Sequence, residues 1–298
     1  MKIPDVSEKY QGKICNVTLG KGDYVAGGAD NMPFSSTSKR RVMIAGEVFD
    51  DVSDYPDLAA SMFDNRQKDP VKWAKMWKSL GMDMICLRFR DNGIRTPYDA
   101  KELIKKISNE TELPIIVCGC GSPDFDKELM KEMISLNDTK LILYKADEDE
   151  YRTIASASIA GKHNIIAFSN LDVNLAKQMN IILNDFGVST ENILIDPLMA
   201  PLGMGLDYSY SVNERIRIAA LSGDTMLQMP MICDATGAWN VGDAVIDDNN
   251  LGDAKNRVTW WEAMTAMAAI VSGADIVIMR GPGAADMILG YADELRGE

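Results

Sequence analysis

Carboxylates stand at or just past the ends of three short apolar runs: Glu47 follows residues 42–45, Asp172 follows 165–168, and Asp196 follows 193–195. Brought to one end of a sheet beside Asn170 and Asn174, they could grip a ring carrying amino and imino donors, as a pterin does. Carboxylates accept hydrogen bonds, and carboxamides both accept and donate them. Asp is equally a preferred helix N-cap, and capping is the role expected of Asp172. Asp196 opens the run Asp196-Pro197-Leu198-Met199-Ala200-Pro201-Leu202-Gly203-Met204-Gly205-Leu206-Asp207-Tyr208-Ser209-Tyr210-Ser211, in which Gly, Pro and Met crowd the stretch between a strand and a helix. In α/β sheets, ligands sit at that end of the strands.

Counting removes other chemistries. His163 is the only histidine, and no Cys-x-x-Cys pair exists, so a zinc site built from this chain is not expected. His163 precedes the fifth apolar run and is expected as a surface or helix-end residue, away from the ligand-facing end. The five cysteines are scattered and read as reduced thiols. Cys118-Gly119-Cys120-Gly121 sends its two thiols to opposite faces of a strand, and Cys15, Cys86 and Cys233 fall on distant elements, so a four-thiolate cluster is not expected. Phosphate-cradling motifs are absent. Gly281-Pro282-Gly283 offers a helix N-terminus to an anion or serves as a simple turn. The 19 methionines read chiefly as adaptable core filling.

The elements that must position these residues alternate regularly. Eight apolar runs, at 42–45, 84–87, 115–118, 141–144, 165–168, 193–195, 229–233 and 276–279, are continuous rather than alternating, as strands covered on both faces require. Helical spacing follows each, at 70–80, 97–108, 124–135, 151–160, 173–186, 212–221, 258–272 and 284–295. Gly81 and Gly273 punctuate helix ends just before strands. The pattern predicts an α/β fold, a closed (β/α)₈ TIM barrel with an N-terminal hairpin extension: residues 1–40 form the extension and 41–298 the barrel. Residues 13–18, Gly27-Gly28 and Asn31-Met32-Pro33-Phe34 supply the hairpin, which is expected to cover one mouth. The seventh strand is the weakest because Pro230 has no amide hydrogen, and residues 239–256 read as a long loop.

With 298 residues, 46% hydrophobic and 25% charged, the chain can bury a large core. A net charge of −13 argues against nucleic acid and against an anionic membrane surface as partners. No apolar run reaches signal-peptide or membrane-spanning length, so a soluble, cytoplasmic protein is expected.

Blocks spread over nearly the whole chain resemble one family. They are Gly27-Gly28 to Pro33-Phe34, Gly46-Glu47-Val48, Gly119-Cys120-Gly121, His163-Asn164-Ile165-Ile166-Ala167, Leu171-Asp172-Val173-Asn174, Lys177-Gln178-Met179-Asn180-Ile181, Ile195-Asp196-Pro197, residues 203–211, Glu214-Arg215-Ile216-Arg217, Met229-Pro230-Met231-Ile232-Cys233, Trp261-Glu262-Ala263 and Met279-Arg280. Together they resemble the small (delta) subunit of the corrinoid iron–sulfur protein of the acetyl-CoA (carbon monoxide dehydrogenase/acetyl-CoA synthase) pathway. The resemblance implies a non-catalytic barrel subunit paired with a larger subunit that carries the iron–sulfur cluster and holds most of the corrinoid (cobalamin). It further implies that a methyl group arrives from methyltetrahydrofolate, or an archaeal methyltetrahydropterin, through a methyltransferase and leaves to acetyl-CoA synthase. Cobalt supplies that chemistry and protein supplies position and shielding.

If the C-terminal mouth faces the corrin, the residues expected to line it are Met199, Gly203, Met204, Gly205, Thr236, Gly237, Ala238, Trp239 and Arg280. Glycines permit close approach of a flat macrocycle, and Arg280 meets a propionamide oxygen. Two other readings stay open: a stand-alone pterin-binding methyltransferase using Asp172, Asn174 and Asp196, and a purely structural docking subunit.

Overall fold

The computed structural model describes residues 9–33, 41–136 and 138–294. Phe34 of the expected hairpin and Leu295 of the expected last helix lie outside them. A short antiparallel pair, β1 (Val17–Leu19) and β2 (Tyr24–Ala26), precedes β3 (Met43–Phe49). Then follow α1 (Asp57–Ala60), α2 (Pro70–Ser79), β4 (Met84–Arg88), α3 (Pro97–Thr111), β5 (Ile115–Cys118), α4 (Pro123–Met133), β6 (Ile142–Ala146), α5 (Tyr151–Gly161), β7 (Asn164–Phe168), α6 (Val173–Phe186) and β8 (Ile193–Asp196). The chain ends with α7 (Leu206–Leu221), β9 (Ile232–Asp234), α8 (Gly242–Val245), α9 (Ala254–Val271), β10 (Ile276–Met279) and α10 (Pro282–Glu294).

The eight strands from β3 onward are parallel, in the order β8-β7-β6-β5-β4-β3-β10-β9. A single bridge between Ile195 and Met231, with the Ile195 amide donating to the Pro230 carbonyl at 2.9 Å, rolls β8 against β9 and makes the sheet a nearly closed barrel. The seam falls at the strand expected to be weakest: β9 spans three residues, and the Met231 amide donates to the Asp275 carboxylate instead of to a neighbouring strand.

Side chains alternate along each strand, and this sorts the core in two. Ala45, Cys86, Ile116, Ile142, Ile166, Leu194, Ile232 and Ile278 fill the barrel, whereas Ile44, Ile85, Val117, Leu143, Ile165, Ile195, Cys233 and Val277 meet the helices. Local chemistry starts the helices as well: Asp69 caps α2, a Thr96/Asp99 capping box opens α3, and Asp172 caps α6. Helices α7 and α9 begin earlier than apolar spacing indicates, because Gly205, at φ 99°, turns the chain into α7 and Asp253 caps α9. The stretch after β9 is not one open loop. Asp234 and Asp248 accept from the amides of Thr236 and Asn250, starting turns too short to show a period.

The hairpin seals the N-terminal end of the barrel. Val17, Leu19 and Ala26 pack with Met43, Met84 and Ile276, the Cys15 amide donates to the Gln228 carbonyl, and Lys140 Nζ donates to the Thr18 carbonyl at 3.0 Å. His163 lies at this same end but is fully buried, not a surface residue. Its Nδ1 accepts from the Leu141 amide at 3.2 Å and its Nε2 pairs with the Met133 carbonyl at 2.8 Å, while burial lowers its affinity for a proton. A neutral, doubly satisfied imidazole stitches the end of α4 to the residue that leads into β6.

Gly46 shows how close the outer packing is. The Trp77 ring of α2 lies on it, with the indole donating to the Glu47 carbonyl at 2.8 Å, and a Cβ at Gly46 would stand 2.3 Å from Trp77 Cγ. Gly46→Ala is expected to destabilise the fold by about 1–3 kcal/mol through overpacking. The check is a lower urea midpoint with an unchanged slope.

Candidate functional site at the C-terminal mouth

One interior position above the apolar filling, the barrel turns ionic. Two residues after Ala45, Cys86, Ile142, Leu194, Ile232 and Ile278 stand Glu47, Arg88, Tyr144, Asp196, Asp234 and Arg280. A strand's period of two carries all six to the same inner face, at the end where βα loops leave the barrel. They line a cavity of about 300 Å³ together with Phe49, Leu198, Met199, Thr236, Gly237 and Asn240.

Glu47 is the hub. It is wholly buried, with Oε1 at 2.6 Å from Arg88 Nε and 3.3 Å from Arg280 Nη2, and Oε2 at 2.5 Å from Arg280 Nε. Arg88 reaches on to Asp234, Nη2 to Oδ2 at 2.5 Å, so the pairing crosses from β4 to β9. Such charges remain in a low-dielectric interior only because each has an opposite partner within hydrogen-bond reach. The Arg280 guanidinium also stands 5.8 Å from the Phe49 and Tyr55 ring centroids and 6.0 Å from that of Trp239. Arg88 and Arg280 both keep Nη1 unengaged among the described residues.

The two aspartates flanking the β8/β9 seam behave oppositely. Burial pushes Asp196 up to about 6, with its bonds from the Leu198 amide at 2.9 Å and the Tyr144 hydroxyl at 2.9 Å pulling the other way. Burial acts on Asp234 too, but the Arg88 charge and the bonds from Thr236 overcome it and lower its proton affinity. Tyr144 stays protonated, because burial and the neighbouring Asp196 both raise it.

Of the residues expected at the mouth, Met199, Thr236, Gly237 and Arg280 line this cavity. Ala238 and Trp239 are buried beneath it, Trp239 because its indole donates to Glu262 Oε2 at 2.8 Å. Gly203 and Gly205 line a separate shallow groove with Leu202, Leu206, Asp207 and Tyr210, and Met204 is 65% exposed. Their loop is pulled outward onto α9: the Leu202 amide donates to Thr265 Oγ1, and Trp261 donates to the Leu202 carbonyl at 2.9 Å. The three carboxylates named first do not converge either. Glu47 and Asp196 meet at the mouth, whereas Asp172 caps α6 by accepting from the Asn174 and Leu175 amides. Cys118 faces the barrel interior, 3.5 Å from Cys86, while Cys120 turns to Asp126. Among the described residues, no cluster of three or more His, Cys, Asp or Glu side chains is arranged to hold a metal ion. No helix among them is long and apolar enough to cross a membrane.

Asp196 makes the mouth pH-sensitive. In the fold it keeps its proton to about pH 6, against an ordinary value of 3.8, so the unfolded chain releases its proton first. Stability therefore falls as pH rises from 3.8 through about 6, to a full cost of about 3 kcal/mol above that range. Asp196→Asn is expected to flatten this part of the profile, read as a smaller difference in thermal midpoint between mildly acidic and alkaline buffer.

Comparisons with known proteins place this architecture. The chain is similar to dihydropteroate synthase from Thermus thermophilus in complex with 6HMPPP, at a TM-score of 0.56 and 14% identity over 89% of this chain and 98% of that one. It is also similar to Xanthomonas albilineans dihydropteroate synthase with 4-aminobenzoic acid, at 0.59 and 14% over 91% and 99%. At such identity the likeness shows the barrel fold alone. In sequence, it is 28% identical over 285 residues to the acetyl-CoA decarbonylase/synthase complex subunit delta of Methanothermobacter thermautotrophicus, covering 92% of this chain and 73% of that one. With the same subunit of Methanopyrus kandleri it shares 31% identity over 229 residues, 74% of this chain and 57% of that one. The family model described as CO dehydrogenase/acetyl-CoA synthase delta subunit matches residues 16–289, so with nearly all of its barrel accounted for the chain belongs to that family.

Proposed function

We propose that this chain is the small subunit of a corrinoid iron–sulfur protein and that its C-terminal mouth faces a corrinoid held mainly by a larger, cluster-bearing subunit. The observation that carries the reading is the mixed donor and acceptor rim of the mouth. Arg88 and Arg280 present unengaged guanidinium nitrogens, Asn240 a carboxamide, and Asp196 and Asp234 carboxylate oxygens, around a wall kept low by Gly237. A corrin edge bears carboxamides, which both donate and accept, and its flat face needs a wall without side chains. The donor set therefore fits the group.

When bound, a corrinoid supplies the cobalt that carries the methyl group; the chain's residues orient its rim and keep water from one face. Its single histidine is committed at the opposite end, both ring nitrogens engaged, so no imidazole from this chain reaches the metal. The methyl source, methyltetrahydrofolate or methyltetrahydropterin, is handled by a separate methyltransferase, and acetyl-CoA synthase receives the methyl group. Exposed Met204 and Tyr208 at the start of α7, with Trp260 and Met264 on α9, are consistent with residence in a larger assembly. The pterin-binding alternative, which needs Asp172 and Asn174 beside Asp196, is disfavoured because Asp172 caps α6 and neither it nor Asn174 lines the cavity that Asp196 lines.

Tagged and purified from an anaerobic host, the chain is expected to bring down a larger iron–sulfur subunit and a cobalt chromophore. Arg280→Met should then lower corrinoid retention about tenfold, the loss of one charge-assisted hydrogen bond. A lone homo-oligomer that binds methyltetrahydrofolate and methylates free cobalamin would sink the reading in favour of the pterin enzyme. A complex whose corrinoid retention is indifferent to Arg280 would favour pure docking.

A further inference from the structure

Glu262 does not line the mouth cavity, yet it ties together elements that do. It is wholly buried on α9. Its Oε1 accepts from the Arg280 amide at 2.5 Å, and its Oε2 accepts from the Trp239 indole at 2.8 Å and the Gly281 amide at 2.8 Å. The fit is tight, since a Cβ on Gly281 would stand 2.7 Å from Glu262 Oε2 and 3.2 Å from Trp239 Cζ2. Arg280 is one wall of the mouth, and Trp239 anchors the turn at residues 235–240 that carries Thr236, Gly237 and Asn240, another wall.

We propose that Glu262 is the positioning residue of the mouth: as a carboxylate it holds Arg280 and the 235–240 turn in register, and on taking a proton it releases one of its three holds. All three partners are N–H groups, which cannot accept, so the O–H of a neutral acid would point at a donor. Burial pushes Glu262 up to about 7 while the Arg280 amide, the indole, the Gly281 amide and the Arg280 charge pull against it, which brings the change into the neutral range. The charged and titratable groups that face it are Arg280, the residue after β10, itself held by Glu47 of β3, and Tyr55 from the segment after β3. Arg217 of α7 is turned to Asp275, and Asp243 of α8 and Asp286 of α10 are exposed. The functional consequence, weaker corrinoid retention on the acid side of neutrality, rests on the reading of the mouth above; the positioning role does not.

The test follows the indole N–H signal of Trp239, assigned with Trp239→Phe, in the full chain labelled with ¹⁵N-tryptophan. Across neutrality that signal is expected to move with a midpoint near 7, and in Glu262→Gln to stay at its acid-side position at every pH. A Trp239 signal that does not move in the unsubstituted chain overturns the proposal without need of the variant, and so does an unchanged titration in a folded Glu262→Gln. Separately, the cobalt chromophore retained by the purified complex is expected to fall about tenfold on dialysis below the midpoint, the worth of one charge-assisted contact, and to be pH-independent in Glu262→Gln. A titrating indole on a protein that retains no cobalt supports the positioning role and overturns the corrinoid reading alone.

Discussion

A buried carboxylate shared between two arginines governs this barrel's C-terminal mouth. Glu47 sits at zero exposure and is shared by Arg88 and Arg280, so removing its charge would leave Arg88 with Asp234 alone and Arg280 with no ion-pair partner among the described residues, in a medium that solvates it poorly. The geometry follows from that constraint. Arg88 stays extended across the mouth to Asp234, Arg280 stays folded against Phe49, Tyr55 and Trp239, and the cavity lies above the pair rather than down the barrel axis.

The same chain carries a different solution at its other end. There the interior is closed by apolar hairpin residues and a neutral, buried histidine, and the charged pairs at that end, Arg41 with Asp83 and Arg217 with Asp275, have their aspartates just before β4 and β10. Apolar closure and the charged cluster around Glu47 thus lie at opposite ends of the barrel axis, the latter at the end where the βα loops of parallel barrels carry their chemistry.

Much of the fold is legible in the sequence because continuous apolar runs and helical spacing are strong periodic signals, and even the frailty of the seventh barrel strand follows from Pro230. The site is only half legible. Met199, Thr236, Gly237 and Arg280 come from reading loops after strands, whereas Arg88, Tyr144, Asp234 and Glu262 escape that reading. The first three are marked by a simpler signal, a polar residue two places beyond an interior apolar one, repeated on strand after strand. Glu262 leaves no such trace: its role depends on a helix packing against two distant turns, which no local spacing encodes. The Gly203 to Gly205 segment misleads in the opposite direction, since glycine and methionine there serve a turn that Thr265 and Trp261 draw away from the mouth.

The seam between β8 and β9 bears on how the mouth can change its width. Every other pair of neighbouring barrel strands shares a ladder, but this pair shares one bridge, and Asp196 and Asp234 stand on its two banks. Prising the strands apart there breaks roughly one net hydrogen bond, about 1 kcal/mol, where any other gap would break several. The two carboxylates repel each other whenever both are ionised, and they push in the opening direction. The barrel therefore behaves less like a sealed ring than like a split collar, whose one compliant gap lies at the rim of its own cavity.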